Sequence, residues 1–155
     1  MKIWKLSGLC VLLFLTHTSF AQDLSPDAPI YNVFDAMRKH DGQSLQAQFT
    51  DTAILQRALP DGSIKTSEID AFAKNITHAS AYLDEHLLSV DIRQNGNLAS
   101  VWTPYAFYRD EALSHCGVNS FQVVKTVNGW KIQHLIDNTY QGNCLEFINQ
   151  HKSSK

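Results

Sequence analysis

The chain has 155 residues, with 13 basic and 15 acidic side chains, and 44% of it is hydrophobic. That is enough for one domain with a sizeable core, and the slight acidity offers nucleic acid no electrostatic footing.

The amino terminus reads as an export signal. Lys2 and Lys5 make a basic start, Leu9 to Leu15 an apolar run, and Ser19-Phe20-Ala21 a small-x-small cleavage site before Gln22. The run is too short to span a bilayer as a helix. Cys10 lies inside it and is expected to leave with residues 1–21, so no membrane attachment is expected after cleavage. Without Lys2 and Lys5 the product keeps 11 basic against 15 acidic side chains, a net charge of −4. Its expected location is outside the cytoplasm, in a bacterial periplasm. Cys116 and Cys144 remain, and two cysteines in an exported chain invite a disulfide. Two buried free thiols are the alternative; a metal or redox role would need more sulfur or a closer pair.

In chain order, Ser25 can cap a helix beginning at Pro26, with Ile30, Val33, Phe34 and Met37 on one face. Asp41-Gly42 ends it, and Leu45 and Phe49 suit a short second helix. A strand over 52–59 turns at Pro60-Asp61-Gly62. Ser67, three residues before Asp70, marks another helix start, and Ile69, Phe72, Ala73 and Ile76 form its apolar stripe. Beyond Ala81 the period changes to two. Strands over 83–94, 97–109, 112–127 and 130–139 are separated by the hairpin signals Asn95-Gly96, Asp110-Glu111 and Asn128-Gly129. Helices first and a long meander afterwards predict a single α+β domain over 22–151, with 152–155 as a disordered tail.

This order of elements, with Phe49 ending the second helix and Gly129-Trp130-Lys131-Ile132 near the end, resembles the nuclear transport factor 2-like superfamily over about residues 28–140. His115-Cys116-Gly117, followed by Phe121 and by Gly129-Trp130-Lys131-Ile132, is similar to an exported bacterial branch described as SnoaL-like or lumazine-binding. The resemblance implies a cone-shaped, curved antiparallel sheet wrapped around N-terminal helices, a cystatin-like α+β roll with a central pocket. It implies no reaction, because the superfamily includes ketosteroid isomerases, cyclases, dehydratases and transport factors. Matching Asp41 and Phe49 to their counterparts in ketosteroid isomerases places that enzyme's tyrosine on Val33, its basic aspartate on Arg57 and its protonated aspartic acid on Asn119. Two of the three groups lose their chemistry, which argues against steroid-type enolisation here.

Alternation assigns the faces. In the last strand Trp130, Ile132, His134 and Ile136 are expected inward, with Lys131, Gln133, Leu135 and Asp137 outward. In the strand before it His115, Gly117, Asn119, Phe121 and Val123 are expected inward. Leu88, Val90 and Ile92 would carry Asp84 and His86 inward too, unless a bulge intervenes. His86, His115 and His134 are thus candidate acid–base residues, each weighed against an ordinary hydrogen-bonded histidine. Three imidazoles on a sheet can hold zinc, but no close His-x-His or supporting carboxylate pattern accompanies them, and neither a metal nor a cofactor is expected. Ser114 beside His115 is expected on the opposite face, which removes it as a nucleophile.

Trp102, Tyr105, Phe107 and Tyr108 supply aromatic side chains to both faces around Pro104, as ligand walls or as sheet packing. A sheet apolar on both faces suits a partner subunit, and dimers are common in the superfamily, so a homodimer through the outer face is expected. The functional expectation is a small-molecule-binding domain. Arg57, Asn119, Trp102, Tyr105, Phe121 and Trp130 would hold a planar, carbonyl-rich or anionic ligand. The alternative is a cofactor-free isomerase, cyclase or dehydratase using a pocket histidine.

Overall fold

The computed structural model describes residues 25–152. The export signal and its cleavage site lie outside the described residues, as does the tail beyond Lys152. The elements are α1 (Ala28–Arg38), α2 (Gly42–Gln46), β1 (Phe49–Ala58), β2 (Ile64–Ser67), α3 (Ile69–Thr77), β3 (Leu83–Leu87), β4 (Asp91–Asn95), β5 (Leu98–Arg109), β6 (Ala112–Thr126), β7 (Gly129–Thr139) and α4 (Cys144–His151). They form an α+β architecture in which one curved, open seven-stranded sheet is covered by the N-terminal helices.

The stripe Ile30, Val33, Phe34 and Met37 is buried, as the helical period requires. The helix begins two residues later than expected, because Pro29 rather than Pro26 occupies its first turn. Asp41 belongs to the next element: its side chain accepts from the Ser44 amide at 2.9 Å and caps α2. Phe49 opens β1 instead of closing a helix, yet it is buried with Leu45 as the pattern demanded. In α3, Ala73 and Ile76 are buried while Ile69 and Phe72 pack against the core.

The sheet runs in the order β2-β1-β7-β6-β5-β3, with β4 pairing a second stretch of β5. The long hairpins are antiparallel, but β1 joins β7 in parallel. The expected strand over 83–94 is two strands, broken at residues 88–90, so that β3 pairs Tyr105 to Arg109 and β4 pairs Leu98 to Trp102. Cys116 and Cys144 form a disulfide with Cα atoms 5.6 Å apart. It fastens α4, an element the sequence reading passed over, to the outer face of the sheet, where Phe147, Ile148, Ala106 and Cys116 are buried. No helix among the described residues is long and apolar enough to cross a membrane.

Two β-bulges decide which side chains face inward. Across β6 and β7 the partners run Phe121 with Leu135, Gln122 with His134, then Val123 with Ile132, so Gln133 is the extra residue. One extra residue reverses the alternation. Trp130 and Ile132 therefore stay inward, but beyond the bulge Leu135 and Asp137 face in and His134 and Ile136 face out. At the other end Ser114 is the extra residue between the Phe107–His115 and Tyr108–Leu113 pairs.

Candidate functional site

Between the helices and the inner face of the sheet lies a cavity of about 490 Å³. Val33, Phe34 and Met37 of α1, Phe72 and Ile76 of α3, and Leu55, Leu83, Phe107 and Leu135 from the strands make its apolar wall. Its polar groups are Arg57 from β1, Asp137 from β7, Asn119 and His115 from β6 and Glu85 from β3. Lys65, Ser67, Glu68 and Asn75 add to them. An apolar cavity with a few convergent polar groups is the usual form of a small-molecule site.

Strand register builds the polar end. Arg57 pairs with Asp137, Asp137 with Asn119 and Asn119 with Thr103, so one row crosses four strands. The Arg57 Nε donates to both Asp137 oxygens, at 2.9 and 3.0 Å, and its Nη2 also donates to Asp137. This fork is the geometry a guanidinium favours with a carboxylate. A second row holds His115, Phe107 and Glu85. On a flat sheet Glu85 and Asn119 would stand roughly 16 Å apart, two strands and four residues away. The sheet curls enough for the Asn119 Nδ2 to donate to Glu85 Oε1 at 2.6 Å.

Burial pushes the Glu85 carboxyl up to about 8, against the opposing hydrogen bond from Asn119; nearby Asp137 adds to the rise. His115 is pushed the other way, first by burial and then by the charge of Arg57. Tyr105 is raised by burial and by Glu85.

Of the candidate residues, the structure brings together Arg57, Asn119 and His115 around the cavity. The others stand elsewhere. His86 faces away from the cavity, where its Nε2 meets Asp84 at 2.6 Å, because the break at residues 88–90 reverses the expected parity and turns Glu85 inward. His134 lies outward beyond the Gln133 bulge, 3.1 Å from the Gln56 side chain. The three histidines do not converge, and no group of three or more metal-binding side chains occurs among the described residues.

Tyr105, Phe121 and Trp130 are inward but belong to the packed core, and the Tyr105 hydroxyl donates to the Asn138 carbonyl at 3.0 Å. Trp102 is 52% exposed on the outer sheet face. The Ser114 hydroxyl does reach His115 Nδ1, at 3.2 Å, because the bulge brings the neighbours together, but Ser114 is exposed and outside the cavity lining.

Asp137, expected outward, lines the cavity beyond the Gln133 bulge, and Glu85 is a lining residue that the alternation did not single out. The available signal was an acidic residue alternating with Leu83 and Leu87, a buried-strand pattern with one charge in it.

No family model matches the chain, and no curated protein matches it significantly. Solved structures do. An NTF2-like protein of unknown function from Shewanella baltica is similar with a TM-score of 0.57 and 13% identity, over 76% of this chain and 92% of that one. A domain of unknown function with a cystatin-like fold from Nostoc punctiforme gives a TM-score of 0.59 and 20% identity, over 79% and 80% of the two chains. A Novosphingobium aromaticivorans protein, provisionally named a scytalone dehydratase, gives 0.62 and 15%, over 73% and 80%. The chain has the nuclear transport factor 2-like, cystatin-like fold. At these identities the likeness speaks for the fold alone.

Proposed function

We propose that this protein is an exported small-molecule-binding protein whose cavity holds a planar, carbonyl-rich or anionic ligand. The observation that carries the reading is the cavity itself: about 490 Å³, apolar along its helix side, with Arg57, Asn119, His115 and Glu85 gathered around it. Phe34, Phe72 and Phe107 line the apolar wall, which suits an aromatic ring, and the polar end suits the oxygens of such a ligand. The disulfide between Cys116 and Cys144 supports an oxidising compartment.

The test is native mass spectrometry of the protein purified from its own host, followed by calorimetry with whatever is released. Arg57→Ala and His115→Ala are expected to weaken retention at least tenfold. Unchanged retention in both variants rejects the site.

A second reading, cofactor-free acid–base catalysis, is favoured by one observation. Glu85 and His115 line the same cavity with proton affinities displaced in opposite directions, which suits an acid and a base at one pH. Incubating the released ligand with protein in deuterated water separates the two readings. Deuterium entering a carbon position of the ligand supports catalysis, whereas an unlabelled ligand supports binding alone.

A further inference from the structure

We propose that Glu85 is the recognition group of the cavity, a neutral carboxyl that donates a hydrogen bond to an acidic ligand oxygen. The site then selects the anion of an oxyacid, such as a carboxylate, enolate or phenolate, and releases it when Glu85 ionises. This rests on the reading that the cavity holds a small molecule, and it names the ligand class.

Two carboxyls, Glu85 and Asp137, share a cavity with a single guanidinium, and Arg57 is committed to Asp137 through Nε and Nη2. No salt bridge reaches Glu85 among the described residues; its hydrogen-bond partner is the uncharged Asn119. A carboxylate left without a counterion in a low-dielectric site takes up a proton instead. Because Asn119 donates to Oε1, the proton belongs on Oε2, and Glu85 becomes a donor in the cavity that Arg57 also lines, with an Nη1 that the fork to Asp137 does not use.

The surroundings agree in sign. Asp137 of β7 repels a second negative charge. His115 of β6 is held towards its neutral form, and Tyr105 of β5 stays un-ionised. The adjacent Asp84 of β3 is paired with Arg38 of α1 and with His86. Lys65 of β2 and Glu68, just before α3, contribute opposite charges to the lining, and α1 presents apolar side chains to it. With Glu85 neutral the cavity carries no net charge, so an anion meets donors; with Glu85 ionised, the same anion meets a net negative site.

The probes are 2-naphthoate and its uncharged counterpart 2-naphthamide, titrated calorimetrically against the full mature protein between about pH 6 and pH 10. Naphthoate affinity is expected to hold at low pH and then to fall about tenfold per unit of pH, through the ionisation of one group. Glu85→Gln, which keeps a neutral donor, is expected to bind naphthoate with no such fall. A flat profile in the wild type, or the same fall in Glu85→Gln, overturns the proposal. Binding of naphthamide without naphthoate also overturns it while leaving the small-molecule reading intact. If neither probe binds at any pH, both fail. Should Glu85→Gln not fold, carbon-13 NMR of the wild-type glutamate carboxyls decides. One protonated carboxyl at pH 7, perturbed by naphthoate, supports the proposal, and a fully ionised set at pH 7 rejects it.

Discussion

Thr103 is fully buried in the middle of β5, and its hydroxyl has no hydrogen-bond partner. A buried hydroxyl left unpaired costs roughly 1 to 3 kcal/mol, so Thr103→Val, which keeps the shape and removes the polar atom, is expected to stabilise the fold by about 1 kcal/mol in urea denaturation. A neighbouring position has the opposite tolerance. A Cβ on Gly117 would lie 2.0 Å from the Asn138 carbonyl oxygen and 3.0 Å from the Tyr105 hydroxyl. Gly117→Ala must therefore separate β6 from β7 or displace Tyr105, and we expect it to cost about 2 kcal/mol or more by the same measurement.

At this scale alternation placed His115, Gly117, Asn119, Phe121 and Val123 inward, because β6 has no interruption between them. It misplaced His86 and His134 and hid Glu85 and Asp137, because each lies on the far side of an irregularity that a period-two pattern does not reveal.

Among the elements, α4 shows how a short amphipathic helix escapes notice. Its signals are an Asn143 cap, which accepts from the Leu145 amide at 2.9 Å, and Glu146 three residues on, followed by buried Phe147 and Ile148. Eight residues give too few turns for periodicity to separate them from a tail. The disulfide, which closes a separation of 28 residues, holds α4 on the sheet together with its buried Phe147 and Ile148. A loop of that length stabilises the folded state by about 3 to 4 kcal/mol. Replacing both cysteines by serine is expected to lower stability by that order and to raise amide hydrogen exchange in α4 before the strands exchange. Uniform exchange across both would mean that α4 is held by its apolar contacts alone. The short β2 was hidden differently. Ile64 to Ser67 is mostly exposed and pairs only with β1, so it has no hydrophobic alternation to detect.

For the molecule as a whole, Glu85 couples stability to pH. Its carboxyl is raised to about 8 in the folded state from an ordinary value of 4.5. Below that ordinary value both states hold the proton and the coupling vanishes. Between the two values the unfolded chain ionises while the folded chain does not, so stability falls as pH rises, by at most about 1.4 kcal/mol per unit. Above about 8 the loss is complete. The difference in stability between wild type and Glu85→Gln, measured by urea denaturation from about pH 4 to pH 9, isolates this group from the rest. A constant difference would show that Glu85 ionises normally.

The outer face of the sheet raises a question of assembly. Trp102 and Leu98 are 52% and 50% exposed there, beside a groove lined by Asp91, Arg93, Ser100 and Ser120. We propose that a second copy of the chain covers this face. Sedimentation equilibrium should give a dimer for the mature protein and a monomer for Trp102→Glu, and a monomeric wild type would refute it.

The order of α1, α2, β1 and α3 and of the long hairpin strands after them, the apolar stripes of α1 and α3, the hairpin turns and the cysteine pairing were legible in the chain because each depends on local spacing or on a count of residues. The polar end of the cavity was decided only by the tertiary structure. Which carboxyl faces Asn119 depends on the break at residues 88–90 and on the Gln133 bulge. Each shifts a strand by a single residue, and the inward row changes from histidines to Glu85 and Asp137. The upward push on the Glu85 carboxyl comes first from its burial and then from Asp137, a residue more than fifty positions away, and no local pattern encodes either.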